Sequence, residues 1–267
     1  MAQRGKPPVG YYTASTAKRK LGDITDGKLH GYVESKKIRK FVPTGKVQGF
    51  YNREDVEKLA REMDDFPTDR SEKTNTKFLV AMKEDISEIV HLLIELFGGG
   101  DSSIRRQSWL GKNSEAAFVV KSKGKVVGCV FVLPLMRSKI EAIFADQDTN
   151  SSRLIEAEEI QPYQPGKSVC LYVVSMGVRG ITPTAKRVRG EILVLGLFKF
   201  LRELGRKGIP IELIAGRSET RDGINLLKKM GFTEIESHTI NRNFIIEVER
   251  SGIPIIMQYK KALHHQE

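Results

Sequence analysis

The sequence predicts an α+β protein of two domains: a small helical module with one hairpin over residues 1–63, a linker over 64–76, and a larger α/β/α domain with a mixed central sheet over 77–267. Three observations carry this expectation. At 267 residues the chain can bury one large core or two smaller ones, since single domains usually run to roughly 100 to 150 residues, so two domains are the starting expectation. Hydrophobic residues at 40% and charged residues at 29% match an ordinary globular protein and exclude wholesale disorder. The stretch "MDDFPTDRSEKTNTK" is polar, contains a proline and has no periodic apolar pattern, so it divides the chain.

Charge is unevenly spread. The formal net charge is +11, and residues 1–63 carry 14 Lys and Arg against 7 Asp and Glu, whereas the remainder carries 30 against 26. Such an excess favours polyanions. Cys129 and Cys170 lie inside apolar runs and read as reduced, structural thiols. "MAQRGKPPVG" has no apolar signal core, and no apolar run approaches the ~18 residues of a membrane span, so the expected location is cytoplasmic, with no membrane partner.

In the first module, Thr13 is placed to cap a helix carrying Ala14, Ala17 and Leu21, with Gly22 at its end. Thr25 or Asp26 caps a second helix whose Leu29, Tyr32 and Val33 share a face. Alternating runs on either side of Pro43, Thr44, Gly45 and Lys46 predict a hairpin, and a third helix starts near Asn52 or Arg53 with Val56, Leu59 and Ala60 as its buried stripe. The order is helix, helix, hairpin, helix.

The elements "YYTASTAKRKLG", "YVESKKIRK" and "GFYNREDVEKLA" resemble, in that order, the winged helix-turn-helix of the MerR and excisionase-like families. The resemblance implies binding to double-stranded DNA, commonly as a homodimer, and hence a bacterial, nucleoid-associated transcriptional regulator. It places Lys28 and His30 on the recognition helix, facing a groove, with Lys36, Lys37, Arg39, Lys40, Lys46 and Arg53 positioned to neutralise phosphates. A solvated basic face is the competing reading of the same residues.

Beyond the linker, "KFLVAM" reads as a strand and "DISEIVHLLIELF" as an amphipathic helix. "AAFVVKSKGKVVGCVFVLPL" reads as a strand pair turning at Lys123, Gly124 and Lys125. "SVCLYVVSMGV" follows as a strand, "GEILVLGLFKFLRELGRKGI" as a buried helix ending at Gly205 or Gly208, and "PIELIAG" as a strand. "RDGINLLKKMGF" is a helix, and two last strands are expected around "NFIIEVE" and "PIIMQYKK".

"AGRSETRDGINLLKKMGFTEI", together with the order of elements, resembles the fold of the GCN5-related N-acetyltransferases from Lys77 to Lys261. The resemblance implies acetyl-CoA or another acyl-CoA as ligand and no metal. In that family a Q/R-x-x-G-x-G/A loop holds the pyrophosphate on backbone N–H groups at a helix N-terminus. The nearest match is "RVRGEI", which nominates Arg187, Val188, Arg189, Gly190 and Glu191, with Ile192 where the family has Gly or Ala and "RGITPTAK" as an apparent loop insertion. The family's usual base, a Glu on the strand "CLYVVSMGV", is missing, and Leu227 stands where its helix Tyr is expected. Glu141, Glu156, Glu158, Glu159, Tyr172, Ser218 and Glu219 are the possible substitutes, and the catalytic residues stay unassigned. Three readings follow: a DNA-binding regulator whose second domain senses a ligand, dimerises or binds a partner; an active N-acetyltransferase directed to DNA; and an interaction protein that recruits an acidic partner.

Overall fold

The computed structural model describes residues 7–21, 24–43, 49–64 (backbone only for 61–64), 75–98, 103–146, 148, 150–180, 182–236 and 242–264. The chain separates into two compact units, Met1–Glu72 and Lys73–Glu267.

The first unit opens with a strand of two residues, too short to carry a periodic pattern, β1 (Tyr11–Tyr12). Thr13 Oγ1 then accepts the Thr16 N–H at 3.2 Å and starts α1 (Ala14–Lys20). Thr25 Oγ1 accepts the Lys28 N–H at 3.4 Å and starts α2 (Asp26–Glu34). That helix stops where Lys36 takes a left-handed φ of 56°. β2 (Lys40–Phe41) pairs with β3 (Phe50–Asn52), and β1 pairs with the other edge of β3, so a three-stranded antiparallel sheet forms. Asn52 Oδ1 accepts the Asp55 N–H at 3.1 Å at the start of α3 (Arg53–Asp64). Ala17, Leu21, Leu29, Ile38, Val56 and Leu59 are buried and form the small core. Gly22, Thr44, Gly45 and Lys46 lie outside the described residues.

The second unit begins with β4 (Thr76–Val80), α4 (Ile86–Phe97) and α5 (Ser103–Lys112). β5 (Ala117–Ser122) and β6 (Lys125–Leu135) follow as a tight hairpin, with Lys123 at φ 48° and Gly124 at φ 80° supplying the left-handed turn. Then come α6 (Arg137–Ala145), β7 (Val169–Val178), α7 (Pro183–Arg206), β8 (Ile211–Ser218) and α8 (Arg221–Lys229). β9 (Thr233–Ile235), β10 (Arg242–Glu247) and α9 (Pro254–His264) complete it. The seven strands form one mixed sheet in the order β4-β5-β6-β7-β8-β10-β9. All neighbours are antiparallel except β7 and β8, which α7 joins as a parallel crossover.

Both sheet faces are covered, which is why β6 is buried at every position after Lys125. Cys129, Phe131, Leu133 and Leu135 join a cluster with Ile86, Ile89 and Leu92 of α4, Trp109 of α5 and Ile140 of α6. On the opposite face Phe118 stacks on Phe78 at 5.0 Å and meets Phe200 of α7 at 4.5 Å.

One expectation requires correction, and of two alternatives for the end of α7 the second holds. "PIIMQYKK" is helix α9, not a strand: Ile256 and Tyr259, three residues apart, are its buried positions, a helical spacing. Gly205 does not end α7. A Cβ there would lie 2.7 Å from the Tyr259 carbonyl, so the glycine permits close crossing of α7 and α9, and the chain turns at Gly208 with φ 68°. α5, α6 and β9 were unassigned from sequence.

Gly196 is where α7 meets the edge strand, since a Cβ there would lie 2.2 Å from the Phe78 ring. Gly196→Ala should therefore destabilise the protein by about 1–3 kcal/mol in urea unfolding. Phe78→Leu in the Gly196→Ala background should recover part of that loss. An unchanged midpoint for Gly196→Ala would mean the contact is looser than described.

Candidate active site

The site arises from a local failure of strand pairing. β7 and β8 run side by side only from Val169–Ile211 to Val173–Gly216. Beyond that, β7 continues to Val178 against β6 alone, while β8 continues to Ser218 against β10 alone. The register of β6 and β7 shifts between Phe131–Ser175 and Val132–Val173, leaving Val174 as the extra residue of a bulge. The bulge sits where β7 leaves β8, so the two strands part and open a gap in the sheet.

A cavity of about 370 Å³ fills the gap. Val173–Met176 line one wall and Gly216–Thr220 the other, with Gly223, Leu226 and Leu227 of α8 beside them. From α4 and α5 come Leu93, Phe97 and Arg106, and from the loop before β7 come Asn150, Ser151 and Ser152. Arg106 is 3% exposed; its Nη1 donates to Ser175 Oγ at 3.3 Å and its guanidinium lies 4.3 Å from the Phe131 ring centroid. Arg217 donates to the carbonyls of Asp148 at 3.0 Å and Asp146 at 2.9 Å, fixing the loop that carries Asn150.

The turn from β8 into α8 is tightly packed. Thr220 Oγ1 caps α8 by accepting the Gly223 N–H at 3.1 Å, and a Cβ at Gly223 would lie 2.3 Å from Ser218 Oγ. Glu219 is exposed at this turn and lines the cavity.

The nominated phosphate loop is not a loop. Thr182 Oγ1 accepts the Ala185 N–H at 3.1 Å, Pro183 occupies the first turn, and α7 already includes Arg187 to Glu191. The N–H groups of these five residues are therefore committed to the helix and cannot cradle a ligand. Val188 is buried. Arg189 is 0% exposed and donates from Nη1 to the Arg179 carbonyl at 2.8 Å, while Arg179 pairs with Glu95 at 2.6 Å. Arg189 thus ties α7 to the end of β7, which in turn holds α4. Arg187 is exposed and lies 3.8 Å from Glu191, a one-turn surface pair. Gly190 faces only Val178 at 4.0 Å. The helix N-terminus that does face outward is Thr182–Ala185, with Lys186 reaching Asp222 of α8 at 3.2 Å.

Of the substitute acids and bases, Ser218 and Glu219 reach the cavity. Glu141 is exposed on α6. Glu158 pairs with Lys112 at 3.7 Å, Glu159 pairs with Lys139 at 2.8 Å, and Glu156 and Glu159 cap a short helical turn reciprocally. Burial pushes the Tyr172 hydroxyl up to about 12, partly offset by Ser151 and Arg217, so it is no ready proton donor. Burial likewise pushes the Cys129 thiol up to about 12 and the Cys170 thiol to about 11, which removes both as thiolate nucleophiles. Among the described residues no group of three or more His, Cys, Asp or Glu is arranged to hold a metal ion, and no helix is long and apolar enough to cross a membrane. Arg106, Ser175 and Asn150–Ser152 were not anticipated; a lone Arg on an unassigned helix gives no sequence signal.

In the first unit the nominated residues divide. Arg39 makes a two-point pair with Asp55 at 2.8 and 2.9 Å and holds that carboxyl below the usual carboxylate range. Arg53 pairs with Glu57 at 2.8 Å, and His30 lies 3.3 Å from Glu34. Lys28, Lys36, Lys37 and Lys40 are exposed and form no ion pair among the described residues.

The contrast between the two neighbouring arginines is measurable. Arg189→Met, which leaves the Arg179 carbonyl without its buried donor, should cost about 1–3 kcal/mol in urea unfolding. Arg187→Ala should change stability by less than about 0.5 kcal/mol. Equal costs would contradict the roles assigned to them.

No family model matches the chain, and no curated protein matches it. Solved structures similar to it include Ard1 from Thermoplasma volcanium, at 12% identity over 64% of this chain and 95% of that one, with a TM-score of 0.42. An agmatine N-acetyltransferase variant in its apo form is 13% identical over 64% of this chain and 99% of its own, with a TM-score of 0.44. NAA60 of Arabidopsis thaliana in complex with acetyl-CoA is 14% identical over 64% and 96%, with a TM-score of 0.43. At these identities and scores the likeness supports no statement about chemistry.

Proposed function

We propose that the second unit is an acyl-CoA-dependent N-acyltransferase of the GCN5-related type. The observation that carries this reading is the parting of β7 and β8 around a cavity of about 370 Å³. Past Val173 the edge of β7 no longer pairs with β8, so its backbone groups are available to the amides of an extended thioester arm. The phosphate end of such a ligand fits the first turn of α7 beside Lys186, which replaces the Arg187–Glu191 backbone as the anion site, with the Arg187 side chain one turn further along. The "AGRSETRDGINLLKKMGFTEI" resemblance supports the same reading, because these residues form β8, its turn and α8, the second wall of the gap.

Gly216 provides the test. A Cβ there would make ordinary contacts, 3.6 Å from the Val173 carbonyl and 4.0 Å from Leu227, so Gly216→Ala fits whereas Gly216→Phe would fill the gap. In calorimetry the parent protein and Gly216→Ala should bind acetyl-CoA, and Gly216→Phe should lose at least about tenfold in affinity, or about 1.4 kcal/mol. Absence of heat and of thermal stabilisation for the parent protein at high acetyl-CoA concentration would sink the reading.

We further propose that the first unit binds double-stranded DNA as a winged helix-turn-helix, in a homodimer. Its net positive charge and the exposed lysines at 28, 36, 37 and 40, which form no ion pair among the described residues, favour this over a merely solvated face. Duplex binding followed by fluorescence anisotropy should weaken steeply with salt, and each Lys→Gln change should lower the log–log slope by about 0.9. No binding at low salt would remove the proposal. A regulator that only senses an acyl-CoA shares both binding events but releases no thiol.

A further inference from the structure

We infer that Glu219 is the general base that deprotonates the acyl acceptor; the inference rests on the acyltransferase reading above. Near neutral pH a primary amine is an ammonium ion without a lone pair to give, so transfer needs a proton acceptor beside the thioester. β7 has no carboxylate anywhere in Val169–Val178. Of the residues lining the cavity Glu219 is the one acid, and among the described residues nothing holds it by hydrogen bond or ion pair. The other acids nearby are engaged elsewhere: Asp222 with Lys186, Glu159 with Lys139, and the side chains of Asp146 and Asp148 with backbone N–H groups of their own loop.

The backbone of Glu219 is held by its neighbours. Ser218 Oγ and Thr220 Oγ1 close on Gly223 so tightly that a Cβ there would lie 2.3 and 2.9 Å from them. Arg217 on its other side is anchored to the Asp146 and Asp148 carbonyls. A carboxylate without a partner among the described residues therefore stands on a rigid turn that lines the gap.

The reaction balances without further reagents. Glu219 takes one proton from the ammonium. The freed lone pair forms the C–N bond at the thioester carbonyl, and the tetrahedral adduct expels the thiolate as the C–S bond breaks. The second proton on nitrogen passes to the sulfur, giving amide and free thiol, and Glu219 returns its proton to water.

The test compares two nucleophiles by thiol release from acetyl-CoA: ethylamine, which is protonated near neutral pH, and hydroxylamine, which is not. Glu219→Gln should lower kcat for ethylamine about 100-fold or more, change KM by less than about threefold, and leave hydroxylamine within about threefold of the parent. Acetyl-CoA affinity should be unchanged, and Glu219→Asp should regain part of the ethylamine rate. Equal losses for both nucleophiles, a loss confined to KM, or a variant as fast as the parent would overturn the inference while leaving the acyltransferase reading intact. A parent protein that releases thiol with neither nucleophile would overturn both.

Discussion

The backbone of the second unit depends on a parallel pair that is only half made. From Cys170 to Val173 β7 is paired on both sides, with β6 and with β8, and this continuity holds seven strands in one sheet. The bulge at Val174 raises the local twist just as β8 falls away, so the outer part of β7 keeps a single partner. In a helix-covered sheet, unpaired strand edges in the interior are costly unless solvent or a ligand meets them. The gap is thus produced by the same backbone pattern that builds the sheet, and the side chains around it decide what it accepts.

Rigidity around the gap comes from groups remote from any ligand. The chain leaves β7 through Gly180, where a Cβ would lie 2.5 Å from the Lys186 backbone nitrogen, so the strand end and the first turn of α7 are in direct contact. Arg189 bonds the Arg179 carbonyl and Arg179 pairs with Glu95, linking α7, β7 and α4. Gly177 accepts α4 closely, since a Cβ there would lie 2.7 Å from Leu96. Both walls are braced by short contacts that larger residues would disrupt.

Periodicity in the sequence foretold the long, strongly patterned elements. The Thr13 cap, the apolar strand pair of β5 and β6 and the apolar stripe of α4 are where the sequence puts them, and of Thr25 and Asp26 it is Thr25 that caps α2. The elements that escaped were short or weakly periodic: β1 has two residues, and α6 buries only Ile140 and Ile143. At α7 a family pattern outweighed a local signal. Thr182 followed by Pro183 is a cap and a first-turn proline, which together mark a helix start one turn before "RVRGEI". The gap itself was illegible, because where two strands part depends on a pairing register that no single strand sequence encodes. Glu219 was visible as a residue, but its standing as the acid of the cavity required the others to be seen engaged.

Tyr259 gives the last helix a role beyond covering the sheet. Its hydroxyl donates to the Ile209 carbonyl at 2.9 Å and accepts the Ile211 N–H at 2.6 Å, in the short connection where α7 hands the chain to β8. One phenol thereby completes the backbone hydrogen bonding of a buried crossover that cannot satisfy itself. The parallel pair that frames the gap is consequently stitched by a residue fifty positions on from Ile209. Without α9 the Ile209 carbonyl and the Ile211 N–H would lose this shared partner, so the helix helps to fix the point at which β8 enters the sheet beside β7.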